Sequence, residues 1–350
     1  MTLSPFFLTQ QYQQPWQVVK VREGYGTALI ETTHTLHALI MNRDSRLGWH
    51  TALADKHCCF ARSCLKPVQA LVLLEALEAQ HRLASTPTEA MALACASHSG
   101  TPEHQYWVRW LLEQVPATSP HHSPEADLVC GVHAPIDART QQALLHHGEP
   151  LWVGHHNCSG KHAALRWACF LNRWPIEGYQ YPEHPLQQRI QAWVALLSQQ
   201  PVETLAWAMD GCGLPSLYAS LGQLATIAQG LAQHPLGQVA LQAMQQHPPL
   251  VAGGERLDTL LPIVSGGQCL SKIGADGLIV VWHHPSQQVL LLRCEDGNNL
   301  VRDKATVYLL EALGWISPGY QAQYPSLWDA RCQSVYESHV ACRLLFEPTL

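Results

Sequence analysis

Five short segments of this chain carry side chains whose types and spacing suit covalent or metal chemistry. In Arg62-Ser63-Cys64-Leu65-Lys66-Pro67 a serine and a lysine stand three residues apart at the start of a helical pattern. That spacing puts both side chains on one face of the first turn. A neutral lysine there takes the proton of the serine hydroxyl, the Ser-Lys form of nucleophile activation. The same residues also read as an N-capping serine followed by a surface lysine. A second segment, Ala94-Cys95-Ala96-Ser97-His98-Ser99-Gly100, sets small residues before a polar string. It reads either as close backbone packing around polar groups or as an ordinary helix C-terminus.

His155-His156-Asn157-Cys158-Ser159-Gly160-Lys161-His162 leads into another helical pattern. Cys158 then stands near the positive end of a helix dipole, which favours a thiolate, with Lys161 and His162 within about one turn. Asp210-Gly211-Cys212-Gly213-Leu214-Pro215 is a glycine-flanked loop with a carboxylate and a thiol. Two thiolates with nitrogen or oxygen donors suit zinc. Twelve cysteines also make accidental pairs, and buried free thiols remain the alternative. Ser271-Lys272-Ile273-Gly274 places a lysine on an edge strand before small residues, like the K-T-G element of serine β-lactamases with Ile273 in place of threonine.

These segments need elements to hold them. Residues 17–22 and 34–41 read as strands, and Arg43-Asp44-Ser45 turns the chain into 46–51 as a hairpin. Leu65, Val68, Leu71, Val72, Leu73 and Leu77 recur at helical spacing. Thr86-Pro87-Thr88-Glu89 starts a second helix through Ala92 and Ala96, and Pro102 opens a third over 106–115. Residues 116–123 read as a surface loop. Helical patterns return at 163–171, 185–197, 221–232 and 238–246, and strands at 278–283 and 289–294 flank His284-Pro285-Ser286-Gln287 as a second hairpin. A last helix covers 300–313, and the tail after Ser317 reads as irregular. Strands at both ends and helices between them predict an α/β (α+β) domain: an antiparallel sheet built from both chain ends around an inserted helical region.

Composition narrows the partners. Apolar residues make up 47% of the 350 and charged residues 14%, enough to bury a large core, and the length allows two domains or a single α/β domain. The net charge of −6, with no basic run, speaks against nucleic acid and anionic membrane as partners. No apolar stretch is long enough for a membrane span, and the N-terminal residues lack a signal-peptide pattern. Irregularly spaced cysteines without that pattern place the expected protein in a reducing cytoplasm. The 21 histidines are scattered and read mostly as surface or satisfied interior residues.

Taken in order, the motifs resemble the L-asparaginase II family, the metal-binding type with a fold similar to serine β-lactamases and glutaminases. The resemblance starts at Ile30-Glu31-Thr32-Thr33-His34-Thr35-Leu36-His37-Ala38 and passes through Ala61-Arg62-Ser63 with Lys66-Pro67. It continues at Cys95-Ala96-Ser97-His98-Ser99, Asn157-Cys158-Ser159-Gly160-Lys161-His162, Asp210-Gly211-Cys212-Gly213-Leu214-Pro215 and Lys272-Ile273-Gly274-Ala275-Asp276. Glu295-Asp296-Gly297-Asn298 completes a match of roughly residues 20 to 315. The chain departs from the family where Thr35 replaces a frequent arginine, and around Val132-His133 and Gly253-Gly254-Glu255.

The resemblance implies hydrolysis of L-asparagine to L-aspartate and ammonia. It implies one Ser-Lys pair in Ser63 and Lys66 and a second in Ser97 and Lys272, with Ser63 the nucleophile. It further implies substrate contacts from Arg62, His162 and Asp210, and Zn2+ held by Cys158, Lys161 and Cys212. The partner is then a small molecule, L-asparagine, and a homodimer is an admissible assembly. A glutaminase or another β-lactamase-like serine amidase is the nearest rival reading, since one methylene separates the substrates. A non-catalytic metal-binding or thiol protein is the rival from another class.

Overall fold

Strand-forming residues from opposite ends of the chain meet in one sheet. The computed structural model describes residues 16–23, 28–116, 123–254, 256–317 and 342–345. In chain order its elements are β1 (Trp16–Glu23), β2 (Ala28–Met41), β3 (Leu47–His50), β4 (Cys58–Phe60), α1 (Lys66–Ala79), α2 (Thr88–Ala94) and α3 (Pro102–Glu113). Then follow α4 (Ala138–His147), α5 (Ser159–Leu171), α6 (Pro185–Ser198), β5 (Ala206–Met209), β6 (Pro215–Ser220), α7 (Leu221–Gln233) and α8 (Pro235–Gln246). The chain closes with α9 (Pro248–Val251), α10 (Leu257–Val264), β7 (Cys269–Ile273), β8 (Leu278–His283), β9 (Gln288–Cys294), α11 (Asn299–Ala312) and β10 (Cys342–Leu345).

The main sheet has the order β10-β1-β2-β9-β8-β7, with β3 also paired to β2. Its pairings are antiparallel. The join between the two ends is β2 on β9, in register from Leu36 opposite Cys294 to Met41 opposite Val289. Alternate residues of β2 enter different cores: Leu39 and Met41 face the helical region, while Leu36, Ala38 and Ile40 join the layer under α10 and α11. A strand buried on both faces needs such apolar residues at nearly every position.

Helix α1 is the axle of the inserted region. Every residue from Leu65 to Leu74 is buried, and the helix packs against α2, α5, α6 and α8. A helix apolar on all sides can only be a central one. Pro67 sits in its first turn, where no amide hydrogen bond is lost.

The mixed α/β architecture, with a sheet drawn from both ends, is the one the sequence predicts. Several elements differ. Ser63 lies in a 3-10 turn, Arg62–Leu65, just ahead of α1 rather than at the helix N-cap. The second helix stops at Ala94, two residues before Ala96. A small sheet of order β4-β6-β5 and the helices α4, α9 and α10 were not expected; each is short or carries little periodic signal. The tail is not wholly irregular, because β10 pairs with β1. The N-terminal residues before Trp16, most of the expected loop at 116–123, Glu255 and most of the tail lie outside the described residues. Among the described residues no helix is long and apolar enough to cross a membrane.

Candidate active site

The first two motifs meet through Lys66. Its side chain is 1% exposed. Its Nζ donates to the Ala96 carbonyl at 2.7 Å, to Ser97 Oγ at 2.9 Å and to the Asn157 carbonyl at 3.4 Å. No carboxylate is among these partners. Burial, helped by the charges of Lys161 and Lys272, lowers the Lys66 ammonium from 10.5 to about 8. Ser63 is half-buried and lines the same cleft as Lys66.

The residue strings around Ser97 and Cys158 are small because their backbones touch. A Cβ on Gly160 would stand 2.8 Å from the Leu93 carbonyl, and one on Gly100, at φ +76°, would stand 2.8 Å from the His155 carbonyl. His98 Nε2 and Ser159 Oγ, 3.0 Å apart, tie the two strings together in the interior. The C-A-S-H-S-G and N-C-S-G-K-H patterns are thus two sides of one contact.

The Ser-Lys pairing differs from the one the sequence implies. Ser97 Oγ meets Lys66, while Lys272 Nζ lies 2.9 Å from Asp258 Oδ2 and 3.0 Å from the Ile273 carbonyl. Both members of the Lys272–Asp258 pair are fully buried. Asp258 also accepts from Ser271 Oγ and the Ile273 amide. Burial alone would raise its carboxyl, but Lys272, the Ile273 amide and Arg256 hold it below the usual range. The cause of the change in pairing is long-range: α10 delivers a carboxylate to the edge strand that carries Lys272. Asp258 was missed, although a lone acid within the apolar run Leu257–Val264 was a usable signal. Arg256 was missed too; its guanidinium binds the Ser97 carbonyl.

Arg62 and Asp210 line one cleft with Ser63. Arg62 Nε is 3.0 Å from Asp210 Oδ1, and its Nη1 is 2.5 Å from Asp276 Oδ2. Arg62 and Asp276 both have left-handed backbone, φ 48° and 56°, conformations that cost non-glycine residues energy and that persist where surroundings enforce them. The Ser216 hydroxyl helps by accepting the Arg62 amide at 3.1 Å. The narrow cleft is lined by Arg62, Ser63, Lys66, Cys158, Lys161, Asp210 and Cys212, among others. Three of the sequence-derived residues, Ser97, Lys272 and His162, are not in that lining.

Cys158 immediately precedes α5 without a side-chain capping bond, and Lys161 and His162 occupy the helix's first turn. Lys161 Nζ is 3.1 Å from Cys212 Sγ. The Cys212 thiol, then the nearby ammonium groups of Lys66 and Lys161, bring the Cys158 thiol well below its ordinary range against the opposing effect of burial. Burial alone would lower Lys161, but Cys212 and Cys158 outweigh it and hold the ammonium above its usual value. His162 is fully buried, its Nδ1 lies 2.6 Å from the Tyr179 hydroxyl, and its Nε2 has no hydrogen-bond partner among the described residues. Desolvation, then Lys161, lowers its imidazole to about 3, so it is neutral. Two thiols and an imidazole nitrogen suit zinc by donor type, whereas Lys161, held as an ammonium, could ligate a metal only after losing its proton. A different group, His34, Cys294 and Asp296, also brings three donor atoms within 4.8 Å of one another.

No curated protein matches the sequence. Among solved structures, a β-lactamase from Sphaerobacter thermophilus DSM 20745 aligns with 82% of this chain and 93% of its own, at 14% identity and a TM-score of 0.42. A Bacillus glutaminase aligns with 81% of this chain and 92% of its own, at 12% identity and a TM-score of 0.35. The family profile described as L-asparaginase II matches residues 19–340, which takes in every motif built above. The chain belongs to the L-asparaginase II family.

Proposed function

We propose that this amidohydrolase is an L-asparaginase that releases ammonia from L-asparagine, with Ser63 as nucleophile and Lys66 as its base. The observation that carries the reading is Lys66: a buried lysine held by neutral acceptors, its ammonium lowered to about 8, lining one cleft with a half-buried serine hydroxyl. A base poised near the working pH is what amide attack needs. Ser63 Oγ attacks the carboxamide carbon and Lys66 takes its proton. Lys66 then returns the proton to the departing ammonia, and water hydrolyses the aspartyl ester. Ser97, which accepts from Lys66 Nζ, carries protons or fixes the amine. Lys272, ion-paired away from Ser97, contributes positive charge that favours the neutral form of Lys66.

Charge complementarity supports the substrate. Asparagine is a zwitterion, and the cleft offers Arg62 for its α-carboxylate and Asp210 for its α-ammonium, at present paired with each other. We assign Zn2+ to Cys158, Cys212 and Lys161, with His162 adjacent. Bound there, zinc would orient or polarise the substrate. Because the ligands must lose protons, occupancy falls in mild acid. The ten described cysteines are free thiols, in keeping with a reducing cytoplasm. A homodimer belongs to the same proposal, and sedimentation reads it.

Ammonia release from L-asparagine, L-glutamine and a β-lactam, with and without added zinc, tests the function. Asparagine should be the preferred substrate, and Ser63→Ala should abolish turnover with zinc still bound. Cys158→Ala should lose the zinc and keep part of the activity. Equal turnover of glutamine moves the assignment to a glutaminase, and full activity in Ser63→Ala ends the mechanism.

A further inference from the structure

Three side chains of different chemistry converge where the two ends of the chain join. His34 stands on β2, Cys294 ends β9, and Asp296 lies in the short connection to α11. A nitrogen, a sulfur and an oxygen from them lie within 4.8 Å of one another. His34 Nδ1 is 2.6 Å from Asp296 Oδ2, and the Cys294 thiol donates to Asp296 Oδ1 at 3.0 Å. Ligand atoms around a tetrahedral ion stand about 3.3–3.7 Å apart, given metal–ligand distances of about 2.0–2.3 Å. An ion therefore enters by spreading the two short contacts by less than about 1 Å each. The side chain free to move is Asp296, 48% exposed, while His34 and Cys294 are buried. That exposure also brings water to one side, where it completes the shell.

The surroundings already orient these donors. Thr32 Oγ1 lies 3.0 Å from His34 Nε2, so the imidazole is held by its far nitrogen with Nδ1 turned to the other two groups. Ligating histidines are anchored in this way. The Asn298 amide donates to Asp296 Oδ1 at 3.1 Å and steadies the carboxylate. A carboxylate only accepts, so a neutral His34 carries its proton on Nδ1 and accepts the Thr32 hydroxyl at Nε2. A hydroxyl both donates and accepts, so Thr32 serves equally the tautomer with its proton on Nε2 and a lone pair on Nδ1. When a divalent ion binds, the histidine proton moves from Nδ1 to Nε2 and the Cys294 thiol gives its proton to solvent, one proton released per ion. The thiol is the telling member. It is a weak hydrogen-bond donor for Asp296, whereas as a thiolate it is a strong ligand for borderline and soft ions.

We propose that His34, Cys294 and Asp296 bind a divalent ion of the zinc class, which ties β2 to the start of α11. None of the three lines the catalytic cleft, so the site is separate from Cys158, Lys161 and Cys212 and does not rest on the asparaginase reading. Cobalt(II) is the probe, because a thiolate ligand gives it a charge-transfer band in the near ultraviolet. Metal-depleted, reduced Cys158→Ala/Cys212→Ala protein, which lacks the sulfurs of the cleft, should bind one equivalent and show that band. Cys294→Ser keeps a hydrogen bond to Asp296 but removes the thiolate. In the same background it should abolish the band with circular dichroism unchanged. Thr32→Val, which releases His34 Nε2 without touching the ion, should weaken binding about tenfold. Excess Mg2+ or Ca2+, which prefer oxygen, should not compete. In the otherwise unaltered protein, Cys294→Ser should lower bound cobalt by one equivalent whether or not the cleft holds metal, so this readout survives a double variant that fails to fold. Three results overturn the proposal. One is the absence of the band in folded Cys158→Ala/Cys212→Ala protein. The second is a band or a cobalt count indifferent to Cys294→Ser, which locates binding elsewhere. The third is Mg2+ or Ca2+ displacing cobalt as an equal.

Discussion

Two lysines, Lys66 and Lys272, are buried to the same degree and are treated differently by the fold. The junction of α1, α2 and α5 surrounds Lys66 with two carbonyls and a hydroxyl, all neutral. The junction of α10 and β7 gives Lys272 a carboxylate at 2.9 Å. In low dielectric an ammonium without a counter-ion sheds its proton more readily, while a paired one is held as half of an ion pair. On the proposed mechanism the first junction makes a base, and the second makes a clamp. One residue type in one protein is given neutral acceptors or a carboxylate according to what the neighbouring helix supplies.

The largest expected effect separates them by activity. Lys66→Met should lower kcat by about 10³-fold or more, the loss of a general base. It should leave the fold intact, at about 1–3 kcal/mol for the acceptors it orphans. A larger loss of kcat in a folded Lys272→Met protein would break the contrast and make Lys272 the base.

Stability should reverse the ranking. Lys272→Met strands the Asp258 carboxylate and should cost about 3–5 kcal/mol in urea unfolding. Adding Asp258→Asn to that variant removes the stranded charge and should restore about half of the loss. If the double variant is no more stable than the single one, the ion pair is not what Lys272 contributes.

The pH dependence sharpens the comparison. The Lys66 amine is lowered from 10.5 to about 8 in the folded protein. Between those values the unfolded chain binds more protons, so stability from this group rises with pH across the window. Below the folded value it is lost, by about 3 kcal/mol in all. Unfolding at pH 8 and at pH 10 should show that rise in the parent protein and not in Lys66→Met. In the same way kcat/KM should climb through an apparent pKa near 8.

The smallest effects belong to the rim. Arg62→Lys keeps a charge but loses the fork between Asp210 and Asp276, and should raise KM about tenfold with kcat little changed. Asp276→Asn, at the exposed end of that network, should change stability by no more than about 1 kcal/mol. A kcat effect as large as that of Lys66→Met would put the rim inside the chemistry.

The sequence was most legible where the physics is local. Leu65 to Leu77 at helical spacing, the turn at Arg43-Asp44-Ser45 and the hairpin around His284-Pro285-Ser286-Gln287 follow from periodicity and turn residues a few positions apart, and the elements formed as read. The candidate site was legible in part as a set: Arg62, Ser63, Lys66, Cys158, Lys161, Asp210 and Cys212 line one cleft, while Ser97, Lys272 and His162 do not. It was less legible as a set of pairs. Ser97 and Lys272 are 175 positions apart in number, and nothing local to either announces Asp258 on α10 or the Ala96 carbonyl beside Lys66.

By itself, then, the sequence determined which side chains are present, which helices and strands carry them, and that small residues leave their backbones free to touch. Only the tertiary structure decided which buried amine received a carboxylate and which did not. The reason is that charge state depends on desolvation and on partners a few ångströms away in space. Those distances are set by α1, α5, α10 and β7 packing together, not by positions along the chain.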